Sequence, residues 1–243
     1  MSSAYRELTS EYELVRVVAE TETAWQDASL PISQYDIVRQ ELEHFRIYKT
    51  GEPFSGFARC MDQLSPYVTG GPTMRLLDVG ASGGYYGEIC KMIGWRGTYT
   101  AYDSSEAFAA LARGIYPDIE FDLGDARSLP YHDEWFDVIL TSGTIMHIYE
   151  WPNVIAELAR VSSRYVILHR TPISFVTRYY EKQAYGVPCL EIHFNEESVL
   201  AECRKAGLIP IYQTTLSSDP GMKYAMKSYV LEKPAIGIRH FQV

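Results

Sequence analysis

The chain has 243 residues, 47% of them apolar and 22% charged, the balance of a folded globular protein. That composition excludes a disordered chain, a collagen-like repeat and a coiled-coil array. Against 22 Lys and Arg stand 31 Asp and Glu, for a net charge of −9; such a surface repels phosphate backbones, so no nucleic-acid partner is expected.

The N-terminal MSSAYRELTSEYEL lacks the apolar stretch of a signal peptide, and no window is long and apolar enough to span a bilayer. Cys60, Cys90, Cys189 and Cys203 form no C-x-x-C pair and no zinc-ligand spacing with histidine, so no metal is expected and a reducing cytoplasm is the expected location.

Residues 1–71 read as helical. Leu8, Tyr12, Val15 and Ala19 share one helix face, and Tyr35, Val38, Leu42 and Phe45 share another. Ser33 with Asp36 resembles a capping box just after Pro31, and a shorter helix is expected from Phe54 to Leu64. Gly70-Gly71-Pro72 breaks the chain.

From residue 74 strands and helices alternate. Strands are expected over 74–79, 98–102, 119–121, 136–141 and 165–169, with helices over 83–93, 105–113 and 152–161. Gly94, Gly114 and Gly207 close helices that carry Lys or Arg in the last turn, and Asn195 caps the last of them. Two strands, 208–216 and 224–232, finish the chain. The short link between them cannot cross over to a parallel neighbour, so the last strand should run antiparallel. The expected fold is α/β: a Rossmann-like, doubly wound, seven-stranded sheet over 72–243 with an antiparallel last strand, plus an N-terminal helical extension over 1–71.

The most informative stretch is LLDVGASGGYYGEIC, residues 76–90. A buried strand ends in Asp78, and Gly80, Ser82, Gly83 and Gly84 lead into a helix. Small residues there let the backbone turn tightly and approach a ligand. Asp103 ends the next strand, where a carboxylate suits paired ribose hydroxyls. Asp103 or Ser104 could instead cap the helix that follows. Further on comes GDARSLPYHDEWFDVIL.

This set resembles the class I S-adenosylmethionine-dependent methyltransferases over residues 74–232. The resemblance implies a small-molecule acceptor and S-adenosylmethionine as cofactor, held by Asp78, Gly80, Ser82, Gly84, Tyr85, Asp103, Ser104, Asp125, Ala126 and Ser142. Ser82 stands where the family's loop has its middle glycine. HRTPI with GVPCLEIHFNEESVLAECRKAGL also resembles methyltransferases encoded among surface-polysaccharide genes, which implies a sugar-like or natural-product-like acceptor.

Three residues past the strand ends are candidates for catalysis. His147 is either a base that takes a proton from an acceptor oxygen or a packing residue. His169 and Arg170 end the fifth strand, where Arg170 either clamps an anionic acceptor or pairs with an acid as structure. Tyr85 and Tyr86 either wall the donor pocket or pack in the core. Tyr185 and His193 lie in an insertion, 173–194, placed to shape an acceptor pocket. The aromatic, acidic N-terminal helices suit a lid, a dimerisation arm or plain cover for the core.

Other classes fit less of the sequence. A non-catalytic module that binds the cofactor or a partner would keep the loop without turnover. Gly80-Ala81-Ser82-Gly83-Gly84 also satisfies G-x-S-x-G, the nucleophile elbow of α/β-hydrolases, with Asp137 and His193 or His240 to complete a triad. Only helical sequence precedes residue 74, however, and an elbow should follow several strands. A dinucleotide-dependent oxidoreductase shares the loop and the acid but leaves LPYHDEWFD without a role.

Overall fold

The computed structural model describes residues 5–64, 71–221 and 223–234. In chain order these form β1 (Arg6–Glu7), α1 (Glu11–Ala24), α2 (Leu30–Tyr48), α3 (Phe54–Met61), β2 (Arg75–Val79), α4 (Tyr86–Met92), β3 (Thr98–Asp103) and α5 (Glu106–Ile115). There follow β4 (Glu120–Leu123), β5 (Phe136–Ser142), a 3-10 turn (Ile145–His147), α6 (Trp151–Val161) and β6 (Ser162–Ser174). The chain closes with β7 (Arg178–Ala184), β8 (Val187–Asn195), α7 (Glu196–Lys205), β9 (Ile209–Asp219) and β10 (Tyr224–Glu232).

The doubly wound core has the strand order β4-β3-β2-β5-β6-β10-β9. The first five strands are parallel, while β10 runs antiparallel to both β6 and β9. Alternation along each buried strand sends successive side chains to opposite faces. Leu77, Val79, Ile139, Val166 and Leu168 pack on one side with α1 and α6. Leu76, Val138, Leu140, Tyr165 and Ile167 pack on the other with α2, α3 and α4. Phe45, Phe54 and Phe57 are almost fully buried there, each stabilising the fold by about 1.5–3 kcal/mol. The N-terminal helices therefore contribute to both cores.

The sheet has a branch that the sequence pattern did not announce. Strand β6 has 13 residues and outruns β5. Past the end of β5 its edge pairs in parallel with β8 through Ile173 and Ser174. β8 pairs antiparallel with β7, and β7 with β1. The insertion after the fifth core strand is thus a hairpin, closed by the two-residue turn Tyr185-Gly186, with φ of 51° and 93°.

Three local expectations are corrected. In α1 the buried face is Val17 and Thr21, with Leu14 and Val18 partly covered, while Tyr12 and Val15 are 79% and 62% exposed. The cause is a polar residue on the inner face: the Thr21 hydroxyl donates to Val17 O at 2.6 Å and accepts from Leu190 N–H at 2.7 Å. Helix α2 starts at Leu30, so Pro31 sits in its first turn and Ser33 lies inside the helix, donating to Ser29 O. Gly114 falls within α5, which ends at Ile115 and is capped by Tyr116. Asn195 does cap α7, accepting from Ser198 N–H, and Gly207 has a φ of 84° past its end.

Candidate functional site

The loop after β2 is built from backbone that turns left-handed at every second position. Gly80, Ser82 and Gly84 have φ of 76°, 49° and 73°. Gly84 keeps residues 83–85 out of the helix, so α4 starts at Tyr86 and not at residue 83. Ser82, in the middle-glycine position, holds a conformation that costs a side chain about 1–2 kcal/mol. The loop N–H groups have defined partners: Gly80 and Ala81 donate to Tyr102 O at 2.8 and 3.1 Å, and Ser82 donates to Asp103 Oδ2 at 2.8 Å.

Gly80 is constrained twice. Its φ is positive, and a Cβ there would lie 2.2 Å from Thr144 Oγ1 and 2.7 Å from Thr144 Cβ. Gly80→Ala should destabilise the protein by about 1–3 kcal/mol in denaturant unfolding. Adding Thr144→Ala should return part of that loss, because it removes the Oγ1 and Cγ2 contacts but neither the Cβ contact nor the strained φ. An unchanged unfolding midpoint in the single variant would refute the close approach.

A cavity of about 360 Å³ opens over the C-terminal ends of β2, β3 and β5 and over Arg170 within β6. The loop residues Gly80, Ser82 and Tyr85 form its floor, with Ser142 and Gly143 from the end of β5. Asp103, Ser104, Asp125 and Ala126 line one end, and His147, Arg170 and Tyr185 the other. Val18, Thr21, Trp25 and Gln34 cover it from the N-terminal helices.

Asp103 is half-buried, and its Oδ1 accepts from Ser105 N–H at 3.0 Å. Ser105 in turn caps α5, so Asp103 and the helix start are fixed together. Burial raises the Asp103 pKa above its ordinary value, against the pull of the backbone N–H groups of Ser82, Ser105 and Ser104. Each oxygen keeps a lone pair for further donors. Next to it, Asp125 accepts from Arg127 N–H at 2.8 Å and pairs with the Arg127 guanidinium at 2.8 Å. Burial acts to raise its pKa, but Arg127 outweighs this and the net shift is downward. Arg127 also reaches Glu22 of α1 at 3.0 Å and Glu150 at 3.2 Å, which ties the N-terminal helix over this end. Gln26 adds a bond to Ser104 O at 3.2 Å.

At the other end, His147 sits on the 3-10 turn after β5. Its Nδ1–H donates to Leu190 O at 2.5 Å, which leaves Nε2 as the free, basic nitrogen. The Trp25 ring lies 5.1 Å from the imidazole. Burial lowers the His147 pKa below its ordinary value, only partly offset by Glu191 and the Leu190 carbonyl. Arg170 has a φ of 55° within β6, and its side chain lines the cavity beside Tyr85 and Tyr185.

Asp78, Gly84 and His169 do not line the cavity. Asp78 shares the inner face of β2 with Leu76, accepts from Tyr99 Oη–H at 2.5 Å and is pushed up to about 7 by burial. Gly84 serves the turn geometry beneath the loop, 3.8 Å from Ala101 Cβ by its missing side chain. His169 is buried between Phe57 and Tyr86, shares a hydrogen bond with Ser228 Oγ at 2.7 Å and is pushed down to about 3 by burial. Tyr86 is likewise core, bonded to Ser142 Oγ at 2.9 Å.

His193 lies away from the cavity in a buried cluster, bonded to Glu191 at 3.0 Å. Glu191 also takes Lys182 at 2.6 Å and Tyr5 Oη–H at 2.8 Å. The hydrolase triad does not assemble from the described residues: Asp137 is at the start of β5, where it accepts from Arg75 N–H, whereas Ser82 follows the end of the parallel β2. His240 lies outside the described residues.

The lining residues missed from sequence are mostly those of the N-terminal cover and the Arg127 network. Only the aromatic, acidic character of that segment hinted at them.

Residues 77–166 match a family model described as a methyltransferase domain. Norajmaline N-methyltransferase of Rauvolfia serpentina is 41% identical over 54 residues, 22% of this chain and 18% of the relative. Demethylmenaquinone methyltransferase of Renibacterium salmoninarum is 33% identical over 91 residues, 37% of this chain and 38% of the relative. The chain thus spans between about a fifth and two fifths of these relatives' length. Among solved structures, Burkholderia thailandensis 1,6-didemethyltoxoflavin-N1-methyltransferase, with its substrate and S-adenosylhomocysteine bound, superposes with a TM-score of 0.54 at 16% identity, over 95% of this chain and 93% of that one. A SAM-dependent methyltransferase from Methanosarcina mazei gives 0.56 at 15% identity, over 70% and 98%. These two show the fold. The family segment lies over the strand, the glycine loop and the acidic strand end, so residues 77–166 match a methyltransferase domain on a fold shared with S-adenosylmethionine-dependent methyltransferases.

Proposed function

We propose that this protein transfers a methyl group from S-adenosylmethionine to an oxygen of a small, sugar-like or natural-product-like acceptor. The observation that carries this reading is the pairing of the Gly80–Gly84 loop with the Asp103 carboxylate on one cavity. The residues fit the cofactor. Gly80 and Ser82 line the floor, Asp103 can accept paired ribose hydroxyls, and Asp125 with Ala126 flank the place for the base. S-adenosylmethionine supplies an activated methyl, whose bond to sulfur breaks as an acceptor lone pair bonds to the carbon.

The chain's own residues align, dehydrate and deprotonate. Trp25 and the α1 end cover the cavity and exclude water, which supports residues 1–71 as a lid over a cofactor-binding domain of 72–243. His147 lines the cavity with its Nδ1–H committed to Leu190 O, which supports reading Nε2 as the base that takes the hydroxyl proton. No helix among the described residues is long and apolar enough to cross a membrane. The four cysteines are buried and free, which supports a cytoplasmic site of action.

Calorimetric titration with S-adenosylhomocysteine tests the reading, with a nicotinamide dinucleotide as control. Binding on the micromolar scale is expected for the first and none for the second. The reverse selectivity would overturn the assignment.

A further inference from the structure

We propose that Arg170 is an anion-binding residue and that the acceptor carries a carboxylate or phosphate which it holds. This deepens the methyltransferase reading and rests on it. Among the described residues, Arg170 is the half-buried arginine with neither a carboxylate within ion-pair reach nor an aromatic ring under its guanidinium. Arg16, Arg59, Arg127 and Arg160 are paired with acids, and Arg75 lies over Trp135 at 4.3 Å. The carboxylate of Glu41 and the phenols of Tyr85, Tyr86 and Tyr185 act on it at longer range, and a guanidinium turned into a cavity with no ion pair in contact is costly unless something anionic arrives there. Its planar fork suits a carboxylate or phosphate bidentately.

The surroundings are built for a ligand. Arg170 holds a φ of 55°, a left-handed position in the middle of a long strand, and this aims the side chain over Gly143. A Cβ on Gly143 would lie 3.9 Å from the guanidinium carbon, so the guanidinium lies over that glycine at ordinary contact distance. Tyr185 reaches the same end of the cavity from the tight turn of the β7–β8 hairpin. Two phenols and a guanidinium then face one volume, with Tyr85 on the floor.

Position in the sheet separates this end from the nucleoside end. β6 lies three strands from β3 in the order β3-β2-β5-β6, or about 15 Å at about 4.8 Å per strand. With a ribose on Asp103, the volume at Arg170 falls to the far end of the cofactor or to the acceptor. Both can bring a carboxylate, and the test separates them.

The probes are benzoate and phenyl phosphate, with benzamide as the neutral match, titrated into protein saturated with S-adenosylhomocysteine. The wild type should bind at least one anion tenfold or more tighter than benzamide. Arg170→Gln should lose that preference, and Arg170→Lys should keep part of it, with thermal unfolding confirming that both variants fold. S-adenosylhomocysteine and methylthioadenosine, which lacks the carboxylate, should both bind Arg170→Gln within threefold of wild type. No anion preference in the wild type overturns the proposal. So does a tenfold loss in Arg170→Gln for S-adenosylhomocysteine but not for methylthioadenosine, which assigns the arginine to the cofactor. A wild type that binds neither nucleoside overturns the methyltransferase reading itself, by a separate readout.

Discussion

Replacing Asp103 with alanine should weaken S-adenosylhomocysteine binding on the order of 100-fold. The carboxylate lines the cavity with both oxygens already oriented by the N–H groups of Ser82 and Ser105. Two ribose hydroxyls bonded to an ionised group contribute about 1.5–3 kcal/mol each. Losing them costs about 3 kcal/mol after water takes their place, and the freed Ser82 N–H loosens the loop as well. Asp103→Asn keeps one acceptor oxygen and with it one of the two backbone contacts, so its loss should be smaller, nearer tenfold. The pH response gives an independent check. Burial raises the carboxyl pKa, so acid protonates it in the free protein at a pH above the ordinary carboxylate value. Wild-type affinity should therefore fall as the pH drops from 7 towards 4, while the asparagine variant stays nearly flat over the same range. Calorimetry of the three proteins decides this; alanine at wild-type affinity would sink the ribose assignment.

The end of the cavity around the Gly80–Gly84 loop and Asp103 could be read in sequence because short-range rules govern it. A strand, a run of small residues and an acid at the next strand end specify one local geometry, and Gly80, Ser82 and Asp103 meet as expected. Asp78 misled because a strand end is one residue wide. Alternation turns Asp78 inward while the following residues enter the loop. His169 misled for the same reason, facing Phe57 and Ser228 within the sheet layer while Arg170 turns to the cavity.

The cover was harder to read because its logic is tertiary. Thr21 holds the buried face of α1 only through Leu190, 169 residues away in sequence. A hydropathy stripe counts threonine as polar and so selects Tyr12 and Val15, which face solvent. Arg127 with Glu22 and Glu150 likewise depends on three separated segments meeting. The β7–β8 hairpin carried a local signal, Tyr185-Gly186 between two runs of alternating residues. Its pairing with β6 follows from that strand outrunning β5, which no local pattern specifies.

The second large effect is expected at His147, and it concerns rate rather than binding. The Leu190 carbonyl fixes the proton on Nδ1, and burial holds the imidazole pKa below 6.5. The ring is therefore a neutral base at pH 7, with Nε2 free. Nitrogen NMR titration should find the Nδ1–H tautomer and a midpoint below 6.5. On a hydroxylated acceptor identified by screening, His147→Gln should lower kcat by about 10²–10⁴, the range for a lost general base. KM and S-adenosylhomocysteine affinity should remain within threefold. The sign of the pH effect follows from the base being active when unprotonated. Wild-type kcat should be level above pH 6.5 and fall about tenfold per unit below the histidine midpoint, and the variant should lose that acid limb. A purely packing histidine would change stability and leave both the limb and the rate in place. A variant within threefold of wild type, with the limb intact, would move the proton to water and leave Trp25 and His147 as cover for the cavity.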